Sequence, residues 1–327
     1  RDRSVSRGLG DVYKRQPYNI VCVSDESYIQ HTAVMLCSLF ETNKNNIFHI
    51  YLLTPDVSQV SRQRLTALCK YYGSKFTICN CSINEISHLP IGQWNVIMYL
   101  KLLMPQLLPA DTERCLFLDV DMIVNADITE LYHINLADNI IAAAEDMPDC
   151  VHIKERLGLP QNELYINSGV MVCDLNAWRK LEIQFPIFDF IHSIIDKIRN
   201  EQDVIALYFR GMLKILPIRW NMVTFYFNRI PKIFPKYLPE LQKAKRYPAI
   251  IHFAAPIKPW FRDSQHPYAY LYKKYLRIYA KTVDIKVNLH FPYGEKLTPR
   301  KRFNKNIRNL FNRIGIIRDA GYTPSAK

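Results

Sequence analysis

Residues 114–124 read RCLFLDVDMIV. A short apolar run, Cys115–Leu118, passes straight into Asp119-Val120-Asp121 and resumes at Met122–Val124. Four to five apolar residues bounded by charge are the mark of a strand buried on both faces. Side chains repeat every two residues along an extended chain, so Asp119 and Asp121 fall on the same side. Two carboxylates delivered from a buried strand are costly to leave without a partner. A divalent cation with a preference for oxygen, Mn²⁺ or Mg²⁺, supplies one.

The flanking sequence repeats the pattern. Asn19–Ser24, Ile47–Thr54 and Lys75–Cys79 are further strand-like runs, and Ile140–Ala144 and Tyr165–Asp174 follow on the other side. Between them, Tyr28–Thr42 carries apolar residues at helical spacing. Ser58 can cap a helix bearing Val60, Leu65, Leu68 and Tyr72, and Val96–Leu108 reads as a helix limited by Pro105. Alternation of this kind predicts an α/β fold: a mostly parallel central sheet with helices on both faces. After Asn176, helical segments are expected around 184–198 and 202–210, and strands at Lys214–Pro217 and Ala249–Phe253. From about residue 262 the chain is rich in Tyr, Lys and Arg, with weak periodicity.

In open sheets of this class ligands bind at the carboxyl ends of the strands. Asp25 and Glu26 end the first strand as Asp119 and Asp121 end the fourth. His252 follows the apolar run Ala249–Ile251; imidazole beside two carboxylates suits Mn²⁺, although a lone His is more often a satisfied core group. Lys258, six residues on, fits an anion such as phosphate, or is a solvated Lys beside Trp260. Glu201-Gln202-Asp203 opens an apolar-periodic helix, where acids either cap the first turn or face a sugar.

The chain has 327 residues and a formal net charge of +13. The surplus sits at the ends: residues 1–16 hold five basic residues and two acids, residues 296–327 nine basic residues and one acid. The body is close to neutral, which argues against nucleic acid, whose binders spread basic charge over a face. No run of about 18 apolar residues exists, the length a membrane-spanning helix needs. Residues 1–16 lack the apolar segment of a secretory signal; DVYKRQ resembles translated sequencing-adapter sequence, and the stretch reads as a non-native leader. The eight cysteines form no C-x-x-C pair and read as reduced, buried thiols. In the tail, Phe303, Ile307, Leu310, Phe311, Ile314 and Ile317 fall close to helical spacing between basic residues, the pattern of a helix lying on an anionic membrane surface, with a helix packed on the body or a nucleic-acid contact as the alternatives.

Six stretches, in this order and spacing, carry a resemblance: NIVCVSDESY (19–28), FLDVDMIV (117–124), YINSGVMVCDL (165–175), NEQDVI (200–205), RWN (219–221) and HFAAPIKPW (252–260). The chain resembles the glycosyltransferase family 8 enzymes, which include bacterial lipopolysaccharide glucosyl- and galactosyltransferases. The resemblance implies a GT-A fold and retaining transfer of glucose or galactose from a UDP-sugar to a glycan or lipid-linked acceptor. It implies Asp119, Asp121 and His252 as ligands of Mn²⁺, with Mg²⁺ as the alternative, and Lys258 on the diphosphate. Asp25 and Tyr28 would contact the uridine and Asn167 the sugar or metal region. Ser27, Lys101, Val120, Ser168 and Ala255 would complete the donor site. Glu201 would bond the hexose, and Gln202 would face the anomeric carbon, as a weak nucleophile or as a stabiliser of positive charge. The sequence departs from the family at Ser27, often Asn; at Lys101, often Arg; and at Glu201, often Asp. The expected organisation is a leader (1–16), a catalytic unit (17–262) and a basic membrane-associating region (263–327), acting on the cytoplasmic face of the membrane. A metal-dependent nucleotidyltransferase and a non-enzymatic membrane- or nucleic-acid-binding protein are the alternatives.

Overall fold

The apolar run around Leu116 forms the middle of the structure, as a strand with no polar face must. The computed structural model describes residues 16–92, 95–147, 150–228, 235–262, 264–286, 298–300, 303, 306–307 and 310. Of the leader, residues 1–15 lie outside the described residues, as does most of the basic tail.

The strands are β1 (Tyr18–Val23), β2 (Phe48–Thr54), β3 (Lys75–Asn80), β4 (Arg114–Leu118), β5 (Met122–Val124), β6 (Ile141–Glu145), β7 (Ile166–Asp174), β8 (Leu213–Ile215), β9 (Met222–Val223) and β10 (Ile250–His252). The helices are α1 (Ile29–Thr42), α2 (Gln59–Tyr71), α3 (Met104–Leu107), α4 (Thr129–Tyr132), α5 (Val151–Leu157), α6 (Leu175–Gln184), α7 (Ile187–Ile194), α8 (Glu201–Tyr208), α9 (Thr224–Asn228), α10 (Leu238–Arg246) and α11 (Ala269–Thr282). Seven strands form one sheet in the order β3-β2-β1-β4-β7-β6-β8, and β5-β10-β9 form a second, small sheet. β7 alone runs antiparallel to its neighbours in the large sheet. The strand order reverses between β1 and β4, so the crevice at their carboxyl ends is the topological switch point where ligands bind.

The two faces of the sheet divide by the alternation of its strands. Ile20, Cys22, Leu116, Leu118, Val170 and Val172 pack beneath α1, α2 and α11. Val21, Val23, Cys115, Phe117, Met171 and Cys173 pack beneath α6, α7 and α8. No cysteine is in a disulfide, and seven of the eight are buried.

Four local expectations change. Val96–Leu108 is not one α-helix: residues Val96–Leu103 wind as a 3-10 helix, and α3 begins only at Met104. Pro105 starts this helix rather than ending one, because the first turn needs no N–H from it. Val60 is exposed; α2 buries Ser61, Leu65, Leu68 and Cys69 instead. Residues 175–184 form α6, with the Asp174 carboxylate accepting from Ala177 N at 2.8 Å as its N-cap. Finally, the weakly periodic stretch after 262 holds α11. Leu271, Tyr272, Tyr275, Leu276 and Tyr279 make a buried stripe on it that packs against α1, so the core continues past residue 262.

Candidate active site at the switch point

β4 ends at Leu118, but its pairing with β7 runs one residue further, with Asp119 N donating to Gly169 O at 2.8 Å. This fixes Asp119 at the mouth of the crevice. Asp121 leads into β5, which pairs antiparallel with β10 and brings His252 opposite Met122. The two sheets therefore meet at Asp119, Asp121 and His252, whose ligand atoms all lie within 4.8 Å of one another. His252 Nε2 is 3.3 Å from Asp121 Oδ1 and 3.8 Å from Asp119 Oδ2.

The orientation of the His252 ring follows from its neighbours. Asn221 Nδ2 donates to Asn167 Oδ1 at 2.7 Å, which turns Asn221 Oδ1 toward His252 Nδ1 at 2.9 Å. Nδ1 is thus turned to a carbonyl oxygen, and Nε2 is the ring nitrogen that faces the carboxylates. This is the arrangement in which a carbonyl behind an imidazole orients it as a metal ligand. Two carboxylate oxygens and one such nitrogen fit a divalent cation of the Mn²⁺ type.

Gly169 makes this closeness feasible. A Cβ there would sit 2.5 Å from His252 Cε1 and 2.9 Å from both Asp119 Oδ2 and His252 Nδ1. Only a residue without a side chain lets β7 pass so near the triad.

Each carboxylate has an ammonium of its own. Lys101 is 1% exposed; its Nζ lies 3.0 Å from Glu201 Oε1, 3.3 Å from Ser168 Oγ and 3.4 Å from Asp119 Oδ1. Burial opposes its charge, but Asp119 and Glu201 outweigh burial and raise its pKa. Lys258 Nζ lies 2.6 Å from Asp121 Oδ2. Burial pushes the Asp119 carboxyl up. At Asp121 burial acts the same way, yet the charge of Lys258, with His252 behind it, prevails and holds that carboxyl low.

α8 delivers the next layer. Asn200 caps it by accepting from Asp203 N, and Asp203, fully buried, accepts from Tyr165 OH, Arg156 Nη1 and Arg199 N. The first turn is thereby fixed with Glu201 and Gln202 toward the crevice. Glu201 Oε1 is used by Lys101 and Ser168, while Glu201 Oε2 is buried without a hydrogen-bond partner among the described residues. Gln202 Oε1 accepts from Ser168 N at 3.0 Å, and its Nε2 donates to Asp146 Oδ2 at 2.8 Å. Burial raises the Asp146 pKa, against the bonds from Met147 N and Gln202.

At the end of β1, Asp25 accepts from Ser27 N and Ser27 Oγ and, through its other oxygen, from Asn95 Nδ2. The half-exposed Tyr28 ring meets Trp260 edge-on at 5.9 Å. Val120 is almost buried between the two aspartates, and Ala255 lies half-buried in the loop before Lys258. The geometry thus joins Lys101, Asp119, Asp121, Ser168, Glu201, Gln202, His252 and Lys258 by direct contacts and ties Asn167 to His252 through Asn221. It adds three that the sequence reading passed over: Gly169, Asn221 and Asp146. Gly169 and Asn221 lay inside quoted stretches, but nothing in their spacing marks a close approach or a bond to His252. Asp146 carries no local signal.

Comparison with known proteins bears on the fold and the family. The fold matches the solved galactosyltransferase LgtC in complex with donor and acceptor sugar analogs, at a TM-score of 0.70 and 21% identity, covering 80% of this chain and 95% of that one. The fold is therefore GT-A. General stress protein A of Bacillus subtilis is 25% identical over 273 residues, 80% of this chain and 94% of that protein. A lipopolysaccharide 1,2-glucosyltransferase of Escherichia coli is 24% identical over 271 residues, 81% and 79% of the two. The family model for glycosyl transferase family 8 matches residues 19–264, a span that contains the whole crevice from Asp25 to Lys258. With three quarters of its length inside that match, the chain belongs to glycosyltransferase family 8.

Proposed function

We propose that the chain transfers a hexose, glucose or galactose, from a UDP-sugar to a glycan or lipid-linked acceptor, with retention at the anomeric carbon. The observation that carries this reading is the Asp119–Asp121–His252 cluster at the switch point of a family 8 chain. Breaking a sugar–phosphate bond leaves a diphosphate whose charge must be neutralised, and a divalent cation held by these three residues supplies that Lewis acidity. The Lys258 ammonium adds a second positive charge at the same edge. In this reading Asp25 and Tyr28, just beyond β1, contact the nucleoside.

Glu201 presents its unpartnered Oε2 as an acceptor for a sugar hydroxyl, since a buried carboxylate oxygen gains most from a donor that a ligand brings. Gln202 is held at both ends, by Ser168 N and by Asp146. Its carbonyl oxygen keeps a second lone pair for a positive anomeric centre. Related proteins that carry the names glucosyltransferase and galactosyltransferase support a hexose donor and a role in lipopolysaccharide or surface-polysaccharide synthesis. Among the described residues no helix is long and apolar enough to cross a membrane. Peripheral contact of the basic tail with an anionic membrane face is part of the proposal and rests on the spacing of its apolar and basic residues in the sequence.

The test is UDP release from a panel of UDP-sugars with and without Mn²⁺. One UDP-hexose should be hydrolysed slowly, with turnover lost on chelation and in Asp121→Ala. Absence of both turnover and Mn²⁺-dependent UDP binding would overturn the reading.

A further inference from the structure

The two ammoniums of the crevice are held in different ways. Lys101 is enclosed, and three side chains fix it. Lys258 lies in the loop between β10 and α11, outside any strand or helix, and its Nζ bonds to Asp121 Oδ2 at 2.6 Å and to Phe253 O at 2.9 Å. Asp121 is thus divided: Oδ1 faces His252 Nε2 at 3.3 Å, and Oδ2 belongs to Lys258. A cation taken up by the cluster and the Lys258 ammonium draw on the same carboxylate.

We propose that Lys258 is the internal counter-ion of the metal-free site and that an entering cation displaces it from Asp121, freeing its charge for the donor diphosphate. This rests on the metal-and-diphosphate reading above and adds an order of events to it. Without metal, two carboxylates so close together would repel, and Lys258 offsets part of that repulsion. With metal, Asp121 no longer needs the ammonium, and an ammonium beside a bound cation is itself repelled. A diphosphate arriving there restores the balance of charge. Lys258 therefore opposes binding of the metal alone and favours binding of the nucleotide. Metal and nucleotide are coupled through one side chain, and by linkage each helps the other.

The two roles predict effects of opposite sign in one variant. The full chain and Lys258→Met, which keeps the aliphatic stem, are titrated with Mn²⁺ without nucleotide, read by the spin-resonance signal of free Mn²⁺. Both are then titrated calorimetrically with UDP at saturating Mn²⁺. Lys258→Met should bind Mn²⁺ on the order of tenfold tighter and UDP on the order of tenfold more weakly, the scale on which a close opposite charge shifts a carboxylate. Lys258→Arg, which keeps the charge, should move both constants back toward the parent. Near-ultraviolet circular dichroism identifies a variant that has failed to fold, in which case Lys258→Gln replaces it. Unchanged or weaker Mn²⁺ binding in a folded, uncharged variant overturns the proposal and leaves the metal-and-diphosphate reading in place. A parent chain that binds neither Mn²⁺ nor UDP with Mn²⁺ overturns that reading, and this proposal with it.

Discussion

Gly169 shows how much one missing Cβ carries. Gly169→Ala would drive a methyl group into His252 and Asp119 while leaving the β4–β7 hydrogen bonds intact. The expected result is a loss of Mn²⁺ affinity of about 10–100-fold, the scale on which disturbing the support of a metal ligand acts. Calorimetric Mn²⁺ titration checks it. Lys101 makes a second prediction. Removing one member of a buried ion pair leaves the other charge stranded, so Lys101→Met should lower stability by about 3–5 kcal/mol. Pairing it with Glu201→Leu should recover part of that loss, because the fully buried carboxylate is then gone while the more exposed Asp119 still lacks its ammonium. Urea unfolding of the two variants against the parent decides this. A double variant no more stable than the single one would mean that the pair does not act as a unit.

At the scale of elements, the turn that opens α8 does the positioning. Asn200 caps it and Asp203 ties it to Tyr165 and Arg156. Asn200→Ala should cost about 1 kcal/mol of stability through the lost cap. Because Glu201 and Gln202 are the next two residues, turnover should fall more than the Michaelis constant for the donor rises. Steady-state kinetics with a saturating acceptor separates the two. The same scale explains which elements were legible in the sequence. β1, β2 and β4 each announce themselves as short apolar runs, because a strand covered on both faces has no polar side, whereas β3, at the sheet edge, is only partly buried. α6 and α11 were hidden. The apolar residues of α6 are diluted by Asn176, Arg179, Lys180 and Glu182, and α11 buries tyrosines whose polar tips blur its stripe.

Across the whole molecule, α11 closes over α1, and two buried histidines, one at that seam and one beside it, are expected to make stability depend on pH. His31 stacks on Trp260 and bonds to Tyr272 of α11; burial lowers its pKa from 6.5 to about 4. His266, packed among Phe227, Phe253 and Tyr268, is lowered by burial from 6.5 to about 3. Both are neutral in the folded chain at pH 7, whereas the unfolded chain binds their protons as pH falls through about 6.5. Their contribution to stability is therefore complete above about 6.5 and drains away toward pH 3–4. The thermal midpoint should fall steadily from pH 7 to pH 4.5, and His266→Gln should flatten that slope. A midpoint equally steep in pH for parent and variant would exclude His266 as a source of the effect.

The sequence by itself determined most strands of the large sheet, their alternation with helices and the carboxylate pair, and offered His252 and Lys258 as candidates beside it. Each of these is written in a local pattern, either a period of two or an apolar run broken by charge. Only the tertiary structure decided that β10 lies against β5, so that residues 119 and 252 share one cluster. It alone put Asn221 behind His252, Gly169 against the triad, and Lys101 between Asp119 and Glu201. These relations join residues that lie far apart along the chain, and contacts across such separations are set by how sheets and helices pack, which no window of neighbouring residues records.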